Sequence, residues 1–333
     1  MSTPVIPFGG QFIPQIYRGG YSGPDQRGQL KRDLEMYRSA GIKTVVLHGF
    51  PRELERNWDN LVRLCKSSGI YAFMASWGLD GTRDNDGTKL TAREKGECIG
   101  NVLSDSCDGG LLDAEGRWDL GGTDPEGCTE AGALELCKAM REKAPLALVG
   151  DQPWPWIEYH GSVRRSARPI DQGGVFAGFP VDEFAVGINW GRFRQNYWLN
   201  WQRPDAYQLV TSRMDREWDA LDKVLAPIGL QHPNCVTVQM YKHDKRPWDL
   251  GHHLLDRMVS KQQPVIAWDH PKLDRSALRI WQAVNRLVEL GIAFPGCDPV
   301  QSVKNYQFQF VRSSNPLTVD GLLGNHTIDR LLA

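Results

Sequence analysis

The stretch Thr44-Val-Val-Leu-His-Gly-Phe50, a run carrying Leu54, Trp58, Leu61 and Cys65, then Gly69, then Ile70-Tyr-Ala-Phe-Met-Ala-Ser-Trp77, holds one complete strand–helix–strand unit. Its outer segments are short β-branched or apolar runs, the pattern of strands buried on both faces of a parallel sheet. Its middle segment spaces apolar residues at helical intervals and closes on glycine, which tolerates the left-handed backbone of a helix end. The unit recurs outward in both directions. On the N-terminal side, Phe12–Tyr17 reads as a strand and Leu30, Leu34 and Tyr37 as a helix closed by Gly41. On the C-terminal side, strands are predicted at Gly110–Glu115, Leu146–Asp151, Phe184–Trp190, Cys235–Tyr241 and Val265–Asp269. Helices are predicted at Ala133–Arg141, Asp215–Leu225 and Leu250–Val259. Eight such units within about 270 residues match an α/β fold of the (β/α)8 TIM type. A doubly wound sheet is disfavoured, because neither G-x-G-x-x-G nor G-x-x-x-x-G-K-[ST] occurs. The stretches Gly161–Gly178 and Phe193–Tyr207 are too long for simple connections and read as walls of a binding site.

The whole chain has 333 residues, enough for this barrel and an appendage. Lys and Arg number 39 against 40 Asp and Glu, and the pI is near 6.7, so the cationic footprint of a nucleic-acid binder is missing. Hydrophobic residues at 41% with charged residues at 24% describe an ordinary globular chain, and no run of eighteen apolar residues exists to enter a membrane. The N-terminus lacks a basic segment followed by an apolar one, so no signal peptide is expected and the chain is expected to be cytoplasmic when made. Seven cysteines, odd in number and without a C-x-x-C, point to reduced thiols rather than disulfides or a zinc knuckle.

After Asp269 the pattern changes. His270-Pro271 breaks it, and Ala277–Leu290 then carries Leu278, Trp281, Val284, Leu287 and Val288 at helical spacing, closed by Gly291. The division expected is a barrel over 1–270 and a small all-α three-helix domain over 272–333. The chain ends Leu317-Thr-Val-Asp320-Gly321-Leu-Leu-Gly324-Asn-His-Thr327-Ile-Asp-Arg-Leu331. Asp320-Gly321 reads as a turn, Gly324 as a permissive backbone position, and Thr327 as the start of a helix. This segment resembles the peptidoglycan-binding-like domain, whose L-x-V-D-G-x-x-G-x-x-T-x-x-x-L links its last two helices. Asn325 stands where that family usually has proline. The resemblance implies a partner, bacterial peptidoglycan.

In such a barrel the chemistry sits at the carboxyl ends of the strands. The fourth predicted strand ends Asp113-Ala-Glu115, two carboxylates at i and i+2 on one face, about 6.5–7 Å apart along the backbone. Acids so close raise one another's proton affinity, and one can stay protonated as a general acid. The strand resembles the D-x-E strand of family-25 glycoside hydrolases, the lysozyme-like muramidases. That family also places an acid on the first strand, where this chain reads Gln15-Ile-Tyr-Arg-Gly19. Asp269 and Asp151, ending the eighth and fifth strands, are the other candidate acids, with Asp269 preferred.

Seven of the twelve tryptophans, among them Trp77, Trp118, Trp154, Trp190 and Trp268, fall at or just beyond predicted strand ends. Indole rings offer sugar faces a flat apolar platform with one N–H donor. Gln152, Asn189, Gln239 and Tyr241 add hydroxyl- and amide-binding groups at other strand ends. No H-E-x-x-H occurs, and His252-His253 are adjacent on a helix pattern, so they cannot face one metal together. Neither a metal nor another cofactor is expected.

The reading is therefore an endolysin-like cell-wall hydrolase that cuts glycan strands, with Glu115 as acid, Asp113 as its tuner or charge stabiliser, and Asp269 as a third participant. It would act on the wall after release from the cell, as a monomer, with Asp320, Gly321, Gly324 and Thr327 forming the wall-binding motif. The rivals are a metal-dependent peptidoglycan peptidase or amidase and a catalytically silent wall-binding protein.

Overall fold

A computed structural model describes residues 12–17, 24–76, 89–104, 109–112, 130–145, 147, 149–151, 191–196, 235–239, 247–262, 265–269 and 275–333. Eight parallel strands follow one another in chain order in a closed barrel. They are β1 (Phe12–Tyr17), β2 (Thr44–Gly49), β3 (Tyr71–Ser76), β4 (Gly109–Leu112), β5 (Val149–Asp151), β6 (Gly191–Asn196), β7 (Cys235–Gln239) and β8 (Val265–Asp269). The helices are α1 (Pro24–Ser39), α2 (Pro51–Ser67), α3 (Ala92–Ser104), α4 (Glu130–Lys143), α5 (Pro247–Leu254), α6 (Arg275–Glu289), α7 (Pro299–Phe308) and α8 (Asn325–Leu332). These elements fall into two compact units, one spanning Gln15–Gln195 and the other including Cys235–Ala333.

In the first unit, the glycines predicted to end α1 and α2 do so. Gly41 and Gly69 have φ of 81° and 69°, where a side chain would be strained. Trp58, Leu54, Leu61 and Cys65 are buried on α2 as their spacing requires. Helix α3 opens with a capping box, in which Glu94 accepts from the Thr91 N–H at 2.8 Å and Thr91 Oγ1 accepts from the Glu94 N–H at 3.2 Å. The Thr91 N–H bond, together with a 2.9 Å bond donated by the Thr91 hydroxyl to the same carboxylate, holds Glu94 below its usual pKa. Gly96 and Gly100 let α3 lie directly on α4: a Cβ at Gly96 would collide with the Leu136 carbonyl, and one at Gly100 would lie 2.7 Å from the Met140 carbonyl.

The sixth strand corrects the sequence reading. The strand that pairs with β5 is Gly191–Asn196, with Gly150 opposite Gly191 and Asp151 opposite Arg192. The predicted Phe184–Trp190 lies outside the described residues, and Phe193–Asn196, expected to belong to a loop, is strand. The apolar run drew the assignment, whereas Gly-Arg-Phe-Arg-Gln-Asn hides its strand behind two arginines.

In the second unit, α5 runs into a π-helical turn, Leu255–Ser260, with Asp256 and Arg257 buried. Helix α6 packs on α5 and on α8, and α7 contacts the π-helical turn. Leu278, Trp281, Val284 and Leu287 are buried, while Val288, counted in the same stripe, is exposed. Gly251 of α5 sits against Leu323, 2.5 Å from where a Cβ would stand. The C-terminal helices therefore share their core with α5. Four described cysteines, Cys65, Cys98, Cys137 and Cys297, are buried free thiols. Among the described residues no helix is long and apolar enough to cross a membrane.

Candidate functional site

Side chains of a strand alternate between faces, so one fixed contact sets the phase of the whole strand. Gly49 on β2 faces the helix layer, because a Cβ there would lie 3.2 Å from Leu54 Cγ on α2. Gly110 on β4 does the same, with Leu103 Cδ2 of α3 at 2.9 Å and Met74 Sδ at 2.8 Å. Val46, His48, Phe73, Ala75 and Gly109 therefore occupy the lumen phase, in agreement with the pairings of His48 with Ala75 and of Phe73 with Gly109. His48 is buried, one position from the carboxyl end of β2 and level with Tyr17 of β1. Sequence reading passed over it, since a lone histidine inside an apolar run carries no spacing signal. Ser76, also buried, ends β3 in the opposite phase, facing the helices.

Of the candidate acids, Asp151 is the last residue of β5 and the register partner of Leu112 in β4. The last described residue of β4 is Leu112, and Asp113 and Glu115 lie outside the described residues. Trp77, Trp118, Gln152, Trp154, Asn189, Trp190 and Tyr241 lie outside them too. In the second unit, Gln239 of β7 and Trp268 of β8 are register partners, which brings two of the expected substrate-binding positions side by side. Asp269 is the last residue of β8.

The C-terminal motif is described in full, and one carboxamide organises it. Gln307, buried on α7, accepts from the Gly321 N–H at 2.9 Å. Its Nε2 donates to Asp320 Oδ1 at 2.9 Å, the Leu322 carbonyl at 3.0 Å and Thr327 Oγ1 at 3.2 Å. Asp320 Oδ1 also accepts from the Leu322 N–H at 2.8 Å, closing the expected turn, and Gly321 takes the φ of 79° that makes glycine necessary there. The Gly321 carbonyl meets His252 Nε2 of α5 at 2.7 Å. Burial is the main reason His252 is harder to protonate than usual, with this bond opposing it.

Two expectations about the motif change. Thr327 does not open the helix, because α8 begins at Asn325 with Gly324 as its N-cap. Gly324 has extended backbone, φ −77° and ψ 172°, with open space where a Cβ would stand, so its conformation does not demand glycine. Thr327 is instead a buried polar link between α8 and Gln307. Beside the motif lies a groove of about 740 Å³ between the 315–318 segment and the first turns of α8.

No family model matches the chain, and no curated protein matches it. Among solved structures, the chain is similar to an endo-1,4-beta-mannanase from Eisenia fetida at 8% identity, covering 80% of this chain and 89% of that one with a TM-score of 0.48. A hyperthermostable endo-1,4-beta-D-mannanase from Thermotoga petrophila RKU-1 aligns at 12% identity over 84% of this chain and 99% of that one, TM-score 0.49. A family 1 b-glucosidase from Thermotoga maritima aligns at 10% identity over 86% and 99%, TM-score 0.47.

Proposed function

We propose that the chain is a peptidoglycan-degrading glycoside hydrolase of the lysozyme-like, endolysin type. The observation that carries the reading is β4 itself, the apolar Gly109–Leu112, a strand of the closed barrel that the sequence continues at once with Asp113-Ala-Glu115. An apolar strand at a barrel's active end that leads directly into Asp-Ala-Glu offers the pair of carboxylates that glycosidic cleavage needs. Glu115 protonates the leaving oxygen. Asp113 tunes that acid, stabilises charge at the sugar, or orients a substrate N-acetyl group, and Asp269 is a third acid. Gln239 and Trp268, as neighbours in register, supply a polar and an apolar contact to the sugar.

The second support is the tail, whose L-T-V-D-G-L-L-G-N-H-T segment resembles the peptidoglycan-binding-like domain and is held as a defined unit by Gln307. Tethering on the wall converts later encounters with substrate into intramolecular ones. In this reading the chain acts as a monomer on the wall after release from the cell, without a cofactor.

The test is the product chemistry. Purified peptidoglycan should release new reducing ends, and Glu115→Gln should lower that rate by about 10²–10⁴-fold, the usual contribution of a positioned general acid, with circular dichroism unchanged. Release of free amines without reducing ends would sink the reading.

A further inference from the structure

We propose that the groove at the start of α8 binds the peptide stems of the wall rather than its glycan strands, which rests on the reading of the chain as a peptidoglycan hydrolase. The groove, at about 740 Å³, falls in the ~300–1,000 Å³ range of ordinary ligand pockets. Its charged neighbours are already engaged. Asp329 pairs with Arg279 at 2.5 Å, and Asp320 accepts from Gln307 and Leu322. Arg330 lies 4.8 Å from the Phe310 ring centroid and donates to Ser313 Oγ and the Asn315 carbonyl at 3.3 Å each.

What the groove leaves over is a set of polar side chains. The side chains of Asn315, Thr318, Asn325 and His326 line it, are exposed, and have no hydrogen-bond partner among the described residues. A carboxamide offers both a donor and an acceptor edge, the complement of a peptide group, and two of the four are carboxamides. Leu317, Pro316 and the partly exposed Leu322 add apolar surface between them. Among the described residues no Trp, Tyr or Phe lines the groove, and none offers the flat platform on which a sugar ring stacks. Amide-pairing groups with short aliphatic neighbours and no indole, phenol or phenyl face match a peptide of small residues. The tail would then read the cross-bridging peptides while the barrel reads the sugars.

The experiment pellets the full chain on ice with purified walls, and with the same walls stripped of stem peptides by a muramoyl-alanine amidase. Synthetic stem pentapeptides, in the L-lysine and meso-diaminopimelate forms, are added as competitors. Binding should fall at least about tenfold on the stripped walls, and one of the two peptides should compete on intact walls. The variant Asn325→Ala/His326→Ala, both positions exposed, should fall about as far with an unchanged melting temperature, while Phe308→Ala, 72% exposed and outside the groove, should bind as wild type. Equal pelleting on stripped and intact walls overturns the proposal, as does full binding by the double variant or no pelleting on intact walls. Reducing ends released on warming are read separately, and their absence overturns the hydrolase reading however the pelleting falls.

Discussion

In the segment Asp320–Thr327, the polar side chains of Asp320 and Thr327 are spent inside the fold on the Gln307 carboxamide and neighbouring main chain. In β4 the residues Gly109-Gly-Leu-Leu112 contribute no polar side chain at all, and the acids begin beyond them. The contrast separates two meanings of a motif. Asp320, Gly321 and Thr327, which make the tail recognisable, also build it, so the proposed contact with a peptide falls to their neighbours. The acids that drew attention to the fourth strand follow its described residues, Gly109–Leu112, and the chemistry proposed for the chain rests on them.

Mutations can break this contrast from either side. The largest structural effect is expected at Gln307. Replacing it with Ala removes four hydrogen bonds and strands the buried Gly321 N–H, at a cost of about 2–4 kcal/mol, read as an earlier unfolding transition of the C-terminal unit in calorimetry. If the melt is unmoved, the motif is not structural and the contrast fails. Gly110→Ala should cost less, about 1–3 kcal/mol, because its Cβ meets the movable ends of Met74 and Leu103 rather than backbone; chemical denaturation checks it.

Acid should weaken the C-terminal unit. Burial, then the positive Arg257 and Lys261, hold His253 down to about 3, and His252 shifts the same way. Unfolded, each titrates near 6.5, so below about pH 6.5 the unfolded chain binds protons that the folded chain refuses. Stability therefore falls as pH drops from about 6.5 toward about 3, and His253→Leu should flatten that slope in melts at about pH 7 and pH 5. The smallest effect belongs to Gly324→Ser. With extended backbone and no clash, it adds a capping hydroxyl to α8 and should stabilise by only a few tenths of a kcal/mol; a loss above about 1 kcal/mol would show that Gly324 is needed after all.

The strands legible in the sequence were those whose apolar runs end in clear punctuation: β1 and β8 match to the residue, and Gly41, Gly69 and Gly291 close their helices with positive φ. Helix α3 escaped because Gly96 and Gly100 look like breakers when read locally. Their purpose is the close approach of α4, a partner far along the chain. Strand β6 escaped because its arginines conceal its pairing with β5. Of the candidate site, the D-G turn was legible because only glycine serves its backbone, whereas the roles of Gln307 and His252 depend on what folds against them, 14 and 69 residues away.

The bond from His252 to the Gly321 carbonyl, beside Gly251 packed on Leu323, bears on how such a chain can be cut and rejoined. A recombination joint between β8 and α6 would give the imported tail a foreign helix in place of α5. Leu323 would meet an unmatched surface and a buried carbonyl would lose its partner. A joint placed before Pro247 carries α5, β8 and the tail together and preserves both contacts. Chimeras built at the two seams should differ accordingly, the later one expressing poorly and the earlier one folding.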